Sequence, residues 1–228
     1  MTGAEELATT APAERTLHTK DLGNAVLLAI DTALGSSVAL GIGDRIFEVS
    51  HDDPRGHAEA IGTLIERVLE HSGTPASAVT GVVSGMGPGP FTGLRVGIAA
   101  AHAFAVGRSV PIHPLQSHEA VAFAVGSDDP VRIMQDAKRR ELFVTGYAGL
   151  DSDGIPVRIS GPELQLRAEF VAGDADVWPE RIPAARLVEL AALRLRAGRP
   201  FETDRALYLR APDVQPPKPG MLGAGAAR

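Results

Sequence analysis

The sequence predicts an α/β fold in which a mixed sheet carries helices on its faces and a second, smaller lobe follows. Three observations carry this. The ordered part opens with short apolar stretches separated by Gly- and Asp-containing turns, the pattern of an antiparallel meander. Helical and strand periodicities then alternate, as in sheets with crossover helices. From about residue 131 the chain restarts with strands and turns, but only one convincing helix follows.

Val26–Ile30 is a continuous apolar run, the mark of a strand buried on both faces. Ser37–Leu40 and Arg45–Val49 complete the meander, with Gly41, Gly43 and Asp44 between them. Ile61, Leu64, Ile65, Val68 and Leu69 recur on one face of a helix that Gly73 ends. Val79–Ser84 reads as a buried strand running into the Gly-rich loop SGMGPGPFTG. A helix of small residues, LRVGIAAAHAFAVG, follows, then a strand at Val110–Ile112 and a helix at Ser117–Val125. In the second lobe, Val131–Gln135, Leu142–Tyr147 and Pro156–Ser160 are expected strands. Val188, Ala191, Ala192 and Leu195 mark the late helix, between Pro183 and Gly198. Tyr208–Arg210 is a last extended piece.

The expected division is a disordered tail over 1–24, a first lobe over 25–126, a second over 127–214 and a disordered tail over 215–228. The N-terminal stretch has no basic start followed by an apolar run, so it does not read as a secretion signal. The 228 residues carry a net charge of −6, which makes a poor stand-alone nucleic-acid binder. With no cysteine, disulfides, thiolate metal sites and a Cys nucleophile are excluded, and a reducing cytoplasmic setting fits. No apolar run is long enough to span a bilayer.

The Gly-rich loop is the most informative segment. A strand feeds a turn built from Gly85, Gly87 and Gly89, with Thr92 expected at the N-cap of the next helix. That geometry suits an anion, yet the dinucleotide and Walker A spacings both fail. A tight strand-to-helix turn stiffened by Pro88 and Pro90 is the plain structural alternative.

The segments AIDTALGSSVAL and GMGPGPFTGLRVGIAAAHAFA, and the helix beginning with His57 and Glu59, resemble the TsaB family. So do QDAKRRELFV and ALYLRAPD. The resemblance spans about residues 25–214. It implies two RNase H-like lobes of the actin/sugar-kinase/Hsp70 type, the second reduced here because Gly161–Pro183 is short. It also implies a non-catalytic subunit in N6-threonylcarbamoyladenosine formation in tRNA. The expected partners are the catalytic paralogue TsaD and the ATPase TsaE, with a homodimer as a further state and tRNA met only through the complex. No membrane partner is expected. No cofactor is expected on the chain alone, with ATP or ADP placed at a subunit interface. The pairing surface is expected on the two first-lobe helices, at His57, Ile61, Leu64, Ile65, Val68, Gly93, Leu94 and Gly97.

Two other readings compete. Asp31 ends the first strand, where actin-like kinases place an acidic residue near phosphate and magnesium, so an ATPase or phosphotransferase would use it. Asp136 stands at the equivalent strand end of the second lobe. Asp31, Thr92, Arg95 and the basic run Lys138, Arg139 and Arg140 are the candidate nucleotide or tRNA contacts. A peptidase-like activity is the weaker alternative. No two of the seven histidines are four apart, and His113 and His118 are separated by Pro114, so no metal site is expected.

Overall fold

The computed structural model describes residues 13–20, 22–51 and 57–210. Its strands are β1 (Ala13–His18), β2 (Val26–Asp31), β3 (Ser36–Ile42), β4 (Arg45–His51), β5 (Gly81–Gly85), β6 (Ile112–Leu115), β7 (Val131–Asp136), β8 (Glu141–Leu150), β9 (Pro156–Leu166) and β10 (Asp176–Val177). The helices are α1 (His57–Ser72), α2 (Phe91–Arg108), α3 (Ser117–Val125) and α4 (Ala184–Ala197).

Two sheets form. The first has the order β1-β4-β3-β2-β5-β6, with β2, β5 and β6 mutually parallel and the rest antiparallel. The second has the order β10-β7-β8-β9. The expected meander is present as β2, β3 and β4, and the crossover helices make the parallel part, as the sequence pattern requires.

The first sheet is covered on both faces. On one, Ile61, Leu64 and Val68 of α1 and Ala101 and Ala105 of α2 pack on Leu28, Ile30, Val38, Leu40 and Val82. On the other, Leu187, Val188 and Ala191 of α4 pack on Leu27, Ala29, Ile46 and Val83, while α3 lies against α4 and the strands β7, β8 and β9. This explains why β2 reads as an unbroken apolar run. Ile133 and Tyr147 of the second sheet join the same cluster, so α3 and α4 fill the space between the sheets.

Two expectations about the organisation need correction. Residues 1–24 do not all behave as a tail. Residues 13–18 are β1, paired along its length with β4, and Leu22 lies in the core. Arg15 also pairs with the buried carboxylate of Glu48. The strand was hidden because its side chains are mostly exposed, leaving no apolar alternation to read. The boundary at 126/127 also fails as a packing boundary. The late helix α4 follows the second-sheet strands in sequence but packs on β2, β3 and β4. Gly41 in β3 permits this, since a Cβ there would overlap Val188 and Leu22. The tail assigned to 215–228 lies outside the described residues.

Residues 201–210 form a strap without regular structure. The Glu202 N–H donates to Pro114 O at 3.1 Å, and the Leu207 N–H to Met86 O at 2.8 Å, tying the strap to the end of β6 and to the Gly-rich loop.

Candidate functional site

The Gly-rich loop lies against the turn that ends β2. A Cβ on Gly85 would overlap the Asp31 carboxylate, and one on Gly97 would overlap the Thr32 hydroxyl. These glycines are close-approach positions, where a side chain would separate loop and turn. Thr32 Oγ1 donates to Gly93 O at 2.6 Å and accepts from the Gly97 N–H at 3.1 Å, pinning the first turns of α2.

Asp31 is 1% exposed. Its Oδ1 accepts from the Ala33 N–H at 2.8 Å, and its Oδ2 from the Ser117 hydroxyl at 2.5 Å. Ser117 Oγ in turn accepts from the Gly87 N–H at 3.0 Å. Burial raises the Asp31 pKa to about 6, against the opposing effect of the two hydrogen bonds. Both oxygens therefore serve the junction between turn, loop and α3.

A second buried polar array joins the two sheets, and the hydrogen-bond directions are mutually consistent. Gln135 Nε2 donates to Ala33 O at 2.7 Å. The Gln135 Oε1 can only accept, so His118 Nε2 carries the proton between them at 3.0 Å. His118 Nδ1 then accepts from the Thr145 hydroxyl at 2.9 Å, and Thr145 Oγ1 accepts from Gln116 Nε2 at 3.2 Å. Gln116 Oε1 accepts from the Tyr147 hydroxyl at 2.6 Å and from Arg158 Nη1 at 2.9 Å. Arg158 also pairs with Glu202 of the strap at 3.0 Å.

This array holds His118 neutral. Burial lowers its pKa to about 4, although the Gln135 hydrogen bond acts to raise it. Burial also raises Glu119, against the pull of its ion-pair partner Arg194, and pushes Tyr147 well above its ordinary value. Sequence reasoning weighed His118 only as a metal ligand and passed over Gln116, Gln135 and Thr145. The available signal was the polar run Gln116-Ser117-His118-Glu119 at a helix start, all four of which are buried.

The other expected site residues lie away from Asp31. Thr92 is not the N-cap: α2 starts at Phe91 with Pro90 as its cap, in extended backbone with no side-chain cap bond, and Thr92 is exposed in the first turn. Arg95 is exposed and stacks its guanidinium 3.9 Å from the centre of the Phe91 ring. Lys138, Arg139 and Arg140 form the tip between β7 and β8, all exposed. Asp31 is buried beneath the loop, so the fold does not assemble it with these cations in one open cleft.

The expected pairing residues divide differently from the sequence reading. Ile61, Leu64 and Val68 face the first sheet and are buried, as are Gly93, Leu94 and Gly97. None of these six presents a surface to a partner, because all are buried within this chain. Ile65 is half-buried, and His57 begins α1. The outer side of α2 instead carries Ala99, Ala103, Val106 and Gly107, with Val106 77% exposed. Among the described residues, no group of three or more His, Asp or Glu side chains could hold a metal ion. Among the same residues, no helix is long and apolar enough to cross a membrane.

The two-sheet architecture is that of known structures. YeaZ from Pseudomonas aeruginosa superposes with a TM-score of 0.67 at 24% identity, covering 81% of this chain and all of that one. The likeness is one of fold: an α/β framework of strands and helices shared along most of this chain. The family described as "TsaD: tRNA N6-adenosine threonylcarbamoyltransferase" matches residues 51–154. An uncharacterized protein of Mycobacterium tuberculosis is 30% identical over 210 residues, covering 83% of this chain and 94% of its own. The Escherichia coli "tRNA threonylcarbamoyladenosine biosynthesis protein TsaB" is 39% identical over 174 residues, or 68% of this chain and 74% of that protein. This chain belongs to the TsaB family.

Proposed function

We propose that the chain is a supporting subunit in the formation of N6-threonylcarbamoyladenosine in tRNA, pairing with the transferase TsaD and carrying no catalytic group of its own. The observation that carries the reading is the relationship to E. coli TsaB across most of both chains. The match of residues 51–154 to the transferase family supports pairing between two related folds. The non-catalytic role is supported by Asp31, the one carboxylate expected to act on phosphate. Both of its oxygens are taken by Ala33 and Ser117, and Gly85 closes over it.

The fold reading goes with this. The order β4-β3-β2-β5-β6 supports an RNase H-like first lobe, and the β7-β8-β9 meander with the parallel β10 supports a reduced second lobe of the same kind. The reading extends to TsaE as the ATPase partner and to a homodimer when TsaD is absent. It places ATP or ADP at a subunit boundary, and the complex in the cytoplasm with its tRNA.

The pairing surface is moved to the outer side of α2, at Ala99, Ala103 and Val106, with the half-buried Ile65 of the neighbouring helix α1. The test is a tRNA threonylcarbamoylation assay of TsaD with and without this chain, run beside co-elution of the two proteins. The chain alone is inactive, the pair is active, and Ala103→Glu abolishes both co-elution and activity while circular dichroism stays native. A charge buried there without a partner costs several kcal/mol. ATP turnover by the lone chain that disappears in Asp31→Asn would replace the subunit reading with the phosphotransferase one.

A further inference from the structure

We propose that this chain itself touches RNA, through a face made of the β7–β8 tip, the strap and the start of α2, gripping a single-stranded or loop segment by phosphate neutralisation and ring stacking. The inference rests on the tRNA-modification reading above and adds to it a direct contact, in place of RNA met only through the partner.

The tip is the first observation. Lys138, Arg139 and Arg140 have φ values of 60°, 53° and 62°, three consecutive left-handed residues with no glycine among them. L side chains meet steric resistance in this region, and glycine is its ordinary occupant. The turn is held by its flanks. The Ala137 N–H donates to Glu141 O at 3.0 Å, the Glu141 N–H to Lys138 O at 3.0 Å, and the Lys138 N–H to Asp136 Oδ1 at 2.9 Å. Three long cations thus occupy backbone positions that favour glycine. Strain retained at an exposed tip points to a use for the side chains.

Charge is the second observation. Arg167 approaches Asp136 at 3.4 Å, and Arg210 pairs with Glu141. Lys138 and Arg167 thus share Asp136 and Arg210 takes Glu141, three cations to two carboxylates, with Arg139 and Arg140 exposed at the same tip, in a chain whose formal net charge is −6. Such a local surplus against the overall balance suits a polyanion.

The rings are the third. Arg210 Nη1 donates to Ala137 O at 3.3 Å, so the end of the strap lies on the tip. Two residues earlier, the Tyr208 ring stands 4.7 Å from Phe91, over which Arg95 stacks. Two extended residues span at most about 7 Å, so the Tyr208 backbone lies within that distance of Arg210, whose side chain reaches the tip. Tyr208 is 40% exposed. An exposed ring with a guanidinium plane beside a cationic tip is the arrangement that receives unstacked bases and their phosphates. An acidic protein surface would use the cations but not the rings.

The experiment is a titration of fluorescently labelled tRNA with the full chain, alone and paired with TsaD, between 50 and 200 mM salt. Wild type is compared with Tyr208→Leu, Arg139→Gly and the triple variant Lys138→Ser/Arg139→Gly/Arg140→Ser. Removing three phosphate contacts makes the log–log salt slope shallower by about 2, a roughly twentyfold smaller loss of affinity over that range. Tyr208→Leu weakens binding at least about fivefold. Arg139→Gly melts at or above the wild-type temperature while binding RNA less well, a combination a purely structural residue would not produce. Co-elution with TsaD is the separate readout of the subunit reading. Tip variants that pair normally and bind tRNA with an unchanged slope overturn the inference and leave the subunit reading intact. Absence of any wild-type RNA binding overturns it too, and loss of pairing together with RNA binding would make the tip a protein contact instead.

Discussion

Asp31→Asn separates two buried titrations that oppose each other in the native protein. Asp31 titrates near 6 in the fold and near 3.8 when exposed. A carboxyl raised in this way contributes stability that is full below 3.8 and lost as pH rises through 6. The interval is about 2 pH units at about 1.4 kcal/mol each, so about 3 kcal/mol is lost between pH 4 and 6. His118 runs the other way. Its pKa falls from 6.5 to about 4, so its contribution is present above 6.5 and lost as pH falls to 4. That too is about 3 kcal/mol. The two slopes nearly cancel in the wild-type chain. Asparagine keeps an oxygen for the Ala33 N–H and offers an amide to Ser117 Oγ, without a buried charge. Its stability at pH 7.5 is therefore equal to wild type or up to about 2 kcal/mol higher. On acidification from pH 6.5 to 4 it loses about 3 kcal/mol more than wild type, because His118 is no longer offset. Glu119, also raised by burial, is common to both proteins and drops out of the difference. Urea unfolding at a series of pH values, followed by circular dichroism and by the single tryptophan, reads this directly. Parallel stability profiles for the two proteins between pH 4 and 6.5 would refute the assignment of Asp31 as the buried, raised acid.

Deleting residues 1–24 removes β1 and Leu22 and leaves the Glu48 carboxylate without Arg15, so urea unfolding should show a loss of about 3 kcal/mol or more. A melting curve matching wild type would mean that β1 adds nothing to the sheet. Gln135→Leu strands the Ala33 carbonyl and the His118 Nε2–H, at about 1–3 kcal/mol for each buried group. Thermal melts check it, and a shift below a degree would deny the array a role in joining the sheets.

Much of the architecture was legible because apolar periodicity encodes burial. The run Val26–Ile30, the face Ile61–Leu69 and the Pro183…Gly198 bracket all mark real elements. The same signal cannot say what covers an apolar face. Ile61, Leu64 and Val68 look equally suited to a partner or to the chain's own sheet, and only the packing decides for the sheet. It also fails where strands are held by backbone pairing alone. β1 escaped notice for that reason. At the site, the glycines were found but not their purpose. Their spacing fits a phosphate loop loosely, whereas their missing side chains make room for Asp31 and Thr32, close neighbours only after folding. The His118 array was invisible because its members come from α3, β7 and β8 and the residue just before α3.

The placement of α4 has a consequence for synthesis on the ribosome. The first sheet is complete in sequence when β6 ends at residue 115, but the helix that covers one of its faces begins at residue 184. The intervening 68 residues take roughly 3–14 s to translate at about 5–20 residues per second. Through that interval Leu27, Ala29, Ile46 and Val83 lack the Leu187, Val188 and Ala191 that later bury them. The nascent chain is therefore a client for holding chaperones until its last fifth emerges. A stalled or proteolysed product ending before residue 184 is an aggregation hazard, not a smaller working subunit.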